Sequence, residues 1–496
     1  MLFLGIDLGT SSIKVSVIDA DTQEALATVQ YPDEENPVIA IKTGWAEQSP
    51  DTWWDHVQHA ILRANATGKY NPKDIAAIGI AYQMHGLVVV DKEQNVLRNS
   101  IIWCDSRAVE FGDKAFAEIG KKKALSHLLN SPGNFTASKL AWVKKNESAI
   151  YKKIDKVMLP GDFIAMKLTG EATTSISALS EGIFWDFKKE RLSKDVFETY
   201  GFNEEIIPAI QPVFSSHGFV TKAIAETLSL KEGIPVTYKA GDQPNNALSL
   251  NVFEPGEVAA TAGTSGVIYG VSDELTYDPQ SRVNTFAHVN HANDKTRTGV
   301  LLCINGTGIL NRWVRDTIAP TKKYDEITTE AQTIPVGCDG LRILPFGNGA
   351  ERMLNNKLVG GHFMHFDLNH HKQAHIFRAA QEGIAYSFRY GLDIMRENGM
   401  NPKLIRAGKA NMFLSALFAE AFTNITNCTV ELYNTDGSAG AARGAGLGLG
   451  YYKNQKDAFS GMKKLEVLKP DKKKRKQYED VYQLWKKDLS AIMNNE

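Results

Sequence analysis

Asp7 closes the alternating apolar segment Phe3–Asp7 and leads into Gly9-Thr10-Ser11-Ser12, and a second Gly-Thr-Ser turn, Gly263-Thr264-Ser265, recurs in the other half of the chain. Glycine lets the main chain approach an anion with no Cβ in the way, and the hydroxyls beside it add donors, so each turn suits a phosphate group. Singly, either is equally an ordinary hairpin turn. As a pair, one per half, they suit a polyphosphate gripped from both sides. The position matching Asp7 in the second copy is Thr261, so only one half supplies a carboxylate there. Nucleotide phosphates travel with Mg2+, which takes oxygen ligands and keeps several waters, and Asp7 is the candidate to hold it.

Asp242 lies in Ala240-Gly241-Asp242-Gln243-Pro244-Asn245-Asn246, just after a strand-like run. Phosphoryl transfer to an alcohol needs a group that orients the hydroxyl and takes its proton, and an aspartate at a cleft edge suits that role; a helix N-cap is the plainer alternative. Tyr82-Gln83-Met84-His85-Gly86 and Ile101-Ile102-Trp103-Cys104-Asp105-Ser106-Arg107 also follow apolar runs and set polar and aromatic groups at strand ends. A sugar needs a few aimed hydrogen bonds and an aromatic wall, which His85 and Trp103 offer as a set rather than singly.

The elements that must position these groups are mixed. Phe3–Asp7 and Ile13–Asp19 read as strands, Asp51–Ala64 and His375–Glu397 carry helical spacing, residues 120–200 are helical and polar in patches, and residues 233–241 return to a strand. The class is α/β. A chain of 496 residues exceeds what one core usually serves, so two domains are expected, 1–247 and 248–496, with a cleft between them. The net charge of -1 gives no footprint for nucleic acid or anionic membrane, and no apolar run is long enough to span a bilayer, so a cytoplasmic protein with small-molecule partners is expected. The four cysteines lack metal-ligand spacing, and no zinc or disulfide is expected. Lys472-Lys473-Lys474-Arg475-Lys476 precedes an amphipathic helix with Val481, Leu484, Trp485 and Leu489, and reads as a solvated face.

From residue 3 to about residue 450 the chain resembles the FGGY carbohydrate kinases, a family of the actin, Hsp70 and sugar kinase superfamily. The resemblance is carried by Gly5-Ile-Asp-Leu-Gly-Thr-Ser-Ser12, Met84-His85-Gly86, Trp103-Cys-Asp-Ser-Arg107, Phe135-Thr-Ala-Ser-Lys-Leu-Ala-Trp142, Gly241-Asp242 and Gly263-Thr-Ser-Gly266, in family order. It implies two ribonuclease H-like domains with an interdomain cleft, the N-terminal one on the sugar side and the C-terminal one on the nucleotide side, and ATP and Mg2+ as partners. It implies Asp242 as catalytic base, Asp7 beside the metal, and Met84, His85, Trp103, Asn134, Asp242 and Gln243 around the sugar. Gly9, Thr10, Ser11, Gly263, Thr264 and Gly308 then face phosphates, with Gly408 and Asn411 near adenosine.

The Met-His-Gly triplet resembles that of the family's xylulose kinases, which implies a ketopentose substrate, D-xylulose going to D-xylulose 5-phosphate. The alternatives are a kinase of ribulose, sedoheptulose or gluconate, or a non-catalytic nucleotide-dependent sugar-binding protein. By analogy a homodimer is expected. Many relatives carry a glycine-rich run where this chain reads Arg406-Ala407-Gly408-Lys409-Ala410-Asn411. The Arg406 side chain and the Ala407 Cβ are expected to narrow the approach to adenine.

Overall fold

A computed structural model describes residues 1–495. Two twisted sheets organise it. In the first the order is Val236–Gly241, Ile75–Tyr82, Leu2–Leu8, Ile13–Asp19, Ala25–Tyr31. The first three strands run parallel and the last three form an antiparallel meander. The second sheet repeats this plan with Val258–Ala262, Gly266–Ser272 and Thr298–Ile304 as the meander and Leu404–Gly408 and Thr429–Tyr433 as the parallel strands. The edge strands Asn284–Ala287 and Lys464–Leu468 extend it. This is the two-domain α/β plan with ribonuclease H-like sheets. Apolar residues fill both faces of the central strands; Leu2–Leu8 is buried at six of its seven positions, as a strand covered on both sides requires.

Each sheet is covered by helices whose composition fits the gap. Gln373–Glu397 lays its aromatic face on the second sheet and is buried along most of its length. The helix Gly437–Gly448, GSAGAARGAGLG, belongs by sequence to residues 248–496, yet it packs across the first sheet. Its small residues permit a backbone-to-backbone approach. A Cβ at Gly5 would stand 1.9 Å from the Ser438 carbonyl oxygen, and one at Gly79 would stand 2.0 Å from that of Ala441. The Ser16 and Ser438 hydroxyls bond at 2.8 Å across the same contact. Beside it runs the helix Asp242–Ser249, tied to it by the Asn245 amide donating to the Gly437 carbonyl at 2.9 Å.

Residues 84–235 build a further layer on the first sheet, including the helices Thr136–Asn146, Pro160–Thr169 and Ile176–Glu181. It reaches the second sheet. Asn130 exchanges two hydrogen bonds with the Thr285 backbone at 2.6 and 3.0 Å, and Ser177 and Ser180 bond Ala287 at 2.9 Å.

The C-terminal helix Lys472–Asn495 buries Tyr478, Tyr482, Trp485 and Leu489 against the second core, and the Trp485 indole donates to the Ile343 carbonyl. Leu484, expected on that face, is 49 % exposed because the inward stripe runs through the tyrosines instead. The basic run is solvated, as expected. Among the described residues no helix is long and apolar enough to cross a membrane.

Gly79→Ala is expected to cost about 1–3 kcal/mol of stability by forcing the helix off the sheet. Gly361→Ala, whose Cβ would meet nothing closer than 3.8 Å, should cost under about 0.5 kcal/mol. Urea midpoints of the two variants check this.

Candidate active site

The C-terminal ends of the parallel strands in both sheets open on one cleft, and the residues anticipated for chemistry gather there. Asp7 ends Leu2–Leu8 and Asp242 begins the helix Asp242–Ser249. Asp436 caps the helix Gly437–Gly448, accepting from the Ala439 amide and the Ser438 hydroxyl at 2.9 Å. A Cβ on Gly437 would lie 2.2 Å from an Asp7 carboxylate oxygen, so glycine is needed for Asp7 to rest against that helix start. Burial, then the nearby Asp436 charge, raises Asp7 to about 6 against the pull of Lys14. Burial and the Asp7 charge raise Asp242 to about 7, partly offset by hydrogen bonds from Gln243. An oxygen-only set of this kind fits a divalent cation with retained waters, and it gives Asp242 the proton affinity of a base working near neutrality.

Both Gly-Thr-Ser turns close hairpins at the head of their sheets. In the first, the Gly9 amide donates to the Ser12 carbonyl at 3.1 Å. The Thr10 hydroxyl donates to Gln83 at 3.1 Å and accepts from the Trp103 indole at 2.9 Å. Trp103 therefore braces this turn, half exposed, with its one donor already used; His85 rather than Trp103 is the enclosed member of the expected sugar set. In the second turn the helix Gly308–Ile318 starts directly over Gly263, whose carbonyl accepts from the Gly308 amide at 2.9 Å. A Cβ on Gly308 would sit 2.3 Å from that oxygen. The helix-start amides of Gly308 and Ile309 are spent on the Gly263 and Thr264 carbonyls, so the helix fixes the shape of the glycine turn beside one space and lends it the positive end of its dipole, an arrangement that suits phosphate.

That space is a cavity of about 700 Å3 lined by Gly263, Thr264, Gly308, Tyr324, Asn411 and Leu414 among others. Asn411 adopts a left-handed φ of 53°, which turns its amide to within 3.6 Å of where a Gly263 Cβ would be. Gly408 ends its strand outside the lining. The expected narrowing does not occur. Arg406 turns to the Asn251 carbonyl and to Glu257 at 3.1 Å, and Ala407 points into the core, because alternate residues of a strand face opposite ways and neither direction is the cavity.

On the sugar side, His85 sits at φ 62° with its ring against Phe135 at 4.8 Å and Phe286 at 5.3 Å. Burial and the Lys139 charge hold it down to about 3, so the ring is neutral at physiological pH. Met84 packs under Gly241, where a Cβ would come within 2.7 Å of Met84 and of Glu181. The Asn134 amide nitrogen donates to the Asp105 carbonyl, while its oxygen and that of Gln243 are buried without partners. Unpartnered buried acceptors facing a cleft are suited to sugar hydroxyls.

Three residues were not anticipated. Asp436 carries a sequence signal, since Thr435-Asp436-Gly437-Ser438 follows a strand as Gly241-Asp242 does. Glu181 carries none. It is buried, accepts from the His85 amide at 3.2 Å, and is pushed well above the carboxylate range by burial. Lys139, also buried, donates to the carbonyls of His85 at 2.8 Å and Ile102 at 3.0 Å, joining the two sugar-facing loops. Away from the cleft, Asp339, His370 and His375 converge. There the His375 Nδ1 accepts from the Lys372 amide at 3.0 Å, so its Nε2 carries the proton and donates to Asp339 rather than offering a metal a lone pair.

A two-lobed fold with two phosphate-suited turns and a buried aspartate between them is that of a phosphotransferase. Residues 2–249 match the N-terminal domain, and residues 258–448 the C-terminal domain, of the FGGY family of carbohydrate kinases, and the chain belongs to that family. It is 27% identical over 514 aligned residues to the xylulose kinase of Bacillus subtilis, covering 99% of this chain and 98% of the relative. To that of Staphylococcus xylosus it is 29% identical over 501, covering 97% and 98%. Among solved structures, ligand-bound xylulose kinase from Lactobacillus acidophilus superposes with a TM-score of 0.90 at 23% identity, over 99% of this chain and 98% of that one.

The raised Asp242 has a stability consequence. Between about pH 4 and 7 the native state holds a proton that the unfolded state has released, so native stability falls as pH rises through that window and the penalty is complete above it. In metal-free protein at pH 8, Asp242→Asn is expected to gain about 1–3 kcal/mol, with the gain vanishing toward pH 4. Thermal melts across pH check it.

Proposed function

We propose that the protein phosphorylates D-xylulose to D-xylulose 5-phosphate with ATP. The carrying observation is the placement of Asp242, a carboxylate raised to about 7, at the cleft floor between the His85 side and the two phosphate-suited turns. Relatives named as xylulose kinases, aligned over nearly the whole chain, support the choice of sugar.

In this reading His85, Met84, Asn134 and Gln243 hold the ketose with its terminal hydroxyl toward Asp242. The turns Gly9–Ser11 and Gly263–Thr264, the second held by Gly308, grip the polyphosphate through the amides of Thr10, Ser11 and Thr264, and Asn411 lies beside the nucleoside. The two lobes, built on the first and the second sheet, close to exclude water. Asp242 accepts the hydroxyl proton as the oxygen attacks the γ-phosphorus. Asp7, with Asp436, would hold Mg2+, which offsets negative charge on the phosphates when bound. Neutral His85 serves as a hydrogen-bond partner and adds no charge to the site. The protein works in the cytoplasm in this reading, where ATP is available.

A coupled ADP-release assay against D-xylulose, D-ribulose, L-ribulose, sedoheptulose, gluconate and glycerol tests the proposal, with D-xylulose expected to give the highest kcat/KM. Asp242→Asn is expected to lower kcat by about 10^2 to 10^4 while the sugar KM moves only a few-fold. Full activity in that variant would remove Asp242 from the mechanism, and preference for another sugar would overturn the substrate assignment.

A further inference from the structure

Glu181 ends the short helix Ile176–Glu181 and has no part in the mechanism above, yet it is buried where the base and the sugar set meet. Its Oε2 stands 2.7 Å from where a Cβ on Gly241 would be, and Gly241 leads directly into Asp242. Its Oε1 accepts from the His85 backbone amide at 3.2 Å, and its own carbonyl oxygen lies 3.1 Å from the His85 Nδ1. Both bonds hold the same histidine. The His85 carbonyl is taken by the Lys139 ammonium at 2.8 Å, and Phe135 and Phe286 flank the ring. His85 needs this hold, because its φ of 62° is left-handed, and a residue with a Cβ keeps such a conformation only when its surroundings impose it.

The same contacts decide the hydrogen-bond character of the ring. A carbonyl oxygen can only accept, so the nitrogen facing it, Nδ1, carries the proton of the neutral ring. Nε2 is left with a lone pair. An acceptor there joins the side-chain oxygens of Asn134 and Gln243, which are buried without partners. The sugar side thus presents acceptors, and a sugar presents hydroxyl protons to them. The reversed tautomer would set a donor at Nε2 and remove one acceptor from that set.

We infer that Glu181 is a positioning residue for substrate recognition, fixing His85 in the tautomer and backbone conformation that leave Nε2 to accept a hydrogen bond from a sugar hydroxyl. This rests on the reading of His85 as a sugar ligand given above. Burial keeps the Glu181 carboxyl well above the usual carboxylate range, so it holds the His85 amide as a neutral acid and adds no further negative charge beside Asp242.

The test reads the ring and the kinetics together. In protein labelled with 15N-histidine, protonated and lone-pair ring nitrogens differ widely in chemical shift, and His85, assigned by the loss of its signals in His85→Gln, is expected to be the Nδ1–H form. Glu181→Leu, which fills the space without an acceptor, is expected to mix the tautomers and to raise the sugar KM about tenfold or more, with kcat changed only a few-fold and Mg·ADP affinity unchanged. Glu181→Gln, which keeps an accepting oxygen, should bring the KM back to within about threefold of the unaltered protein. An Nε2–H ring in the unaltered protein, or a Glu181→Leu variant with the same tautomer and the same KM, would overturn this inference and leave the proposed function standing; should Glu181→Leu fail to fold, the tautomer in the unaltered protein decides. A different preferred sugar whose KM follows the same pattern would overturn the D-xylulose assignment alone.

Discussion

The cleft floor depends on how closely the helix Gly437–Gly448 lies on the first sheet. With carbonyl oxygens about 2 Å from where Gly5 and Gly79 would carry a Cβ, the helix and strands share one van der Waals surface, and any larger residue at either glycine would separate them. That contact sets Asp436 beside Asp7, and the Asn245–Gly437 bond then fixes the neighbouring helix that begins with Asp242. A stripe of small residues brings Asp7 within charge range of both Asp436 and Asp242. The partial positive ends of the two helices soften the repulsion, but burial dominates, and both Asp7 and Asp242 remain well above the usual carboxylate range. The site is held together by packing at the expense of its electrostatics, and a cation or a substrate proton donor relieves that strain.

What the sequence made legible follows from locality. Asp7, Asp242 and the two turns are each announced by residues next to them, a strand before and glycine or a helix start after, and the α/β plan is written in the periodicities of Phe3–Asp7, Ile13–Asp19 and His375–Glu397. The signal at Asp436, a strand before and a glycine-led helix start after, is of the same kind. Glu181 lies in a stretch whose local pattern speaks only of helix, and Lys139, inside the Phe135–Trp142 motif, shows nothing there of its role; both reach the cleft through contacts between segments far apart in sequence.

The misplacements share a cause. Arg406 was expected near adenine and Leu484 against the core, yet side-chain direction along a strand or helix is fixed by which face the sheet or core presents, and that is a tertiary fact. Trp103 is expected near the sugar by its position after a strand, and its indole N–H bonds the Thr10 hydroxyl, so with Gln83 and Gln48 it also stiffens the first turn from behind. A brace at that place keeps the turn amides aimed.

The chain passes from the first sheet to the second through Asp242–Ser249, and it returns to lie on the first sheet as Gly437–Gly448, two helices side by side. Any rocking of one sheet against the other turns about this pair and about the buried bonds of Asn130 to Thr285 and of Ser177 and Ser180 to Ala287, the second tie between the sheets. Displacement grows with distance from an axle, so the rim of the cleft, with Tyr324 and Leu414 on one side and the loop after Ile102 on the other, sweeps the widest arc. Asp242, Asp436 and Asp7 sit at the hub and travel least. The molecule can thus open and shut around ligands of different length while the oxygen atoms that handle the proton and the cation keep nearly the same spacing throughout the swing.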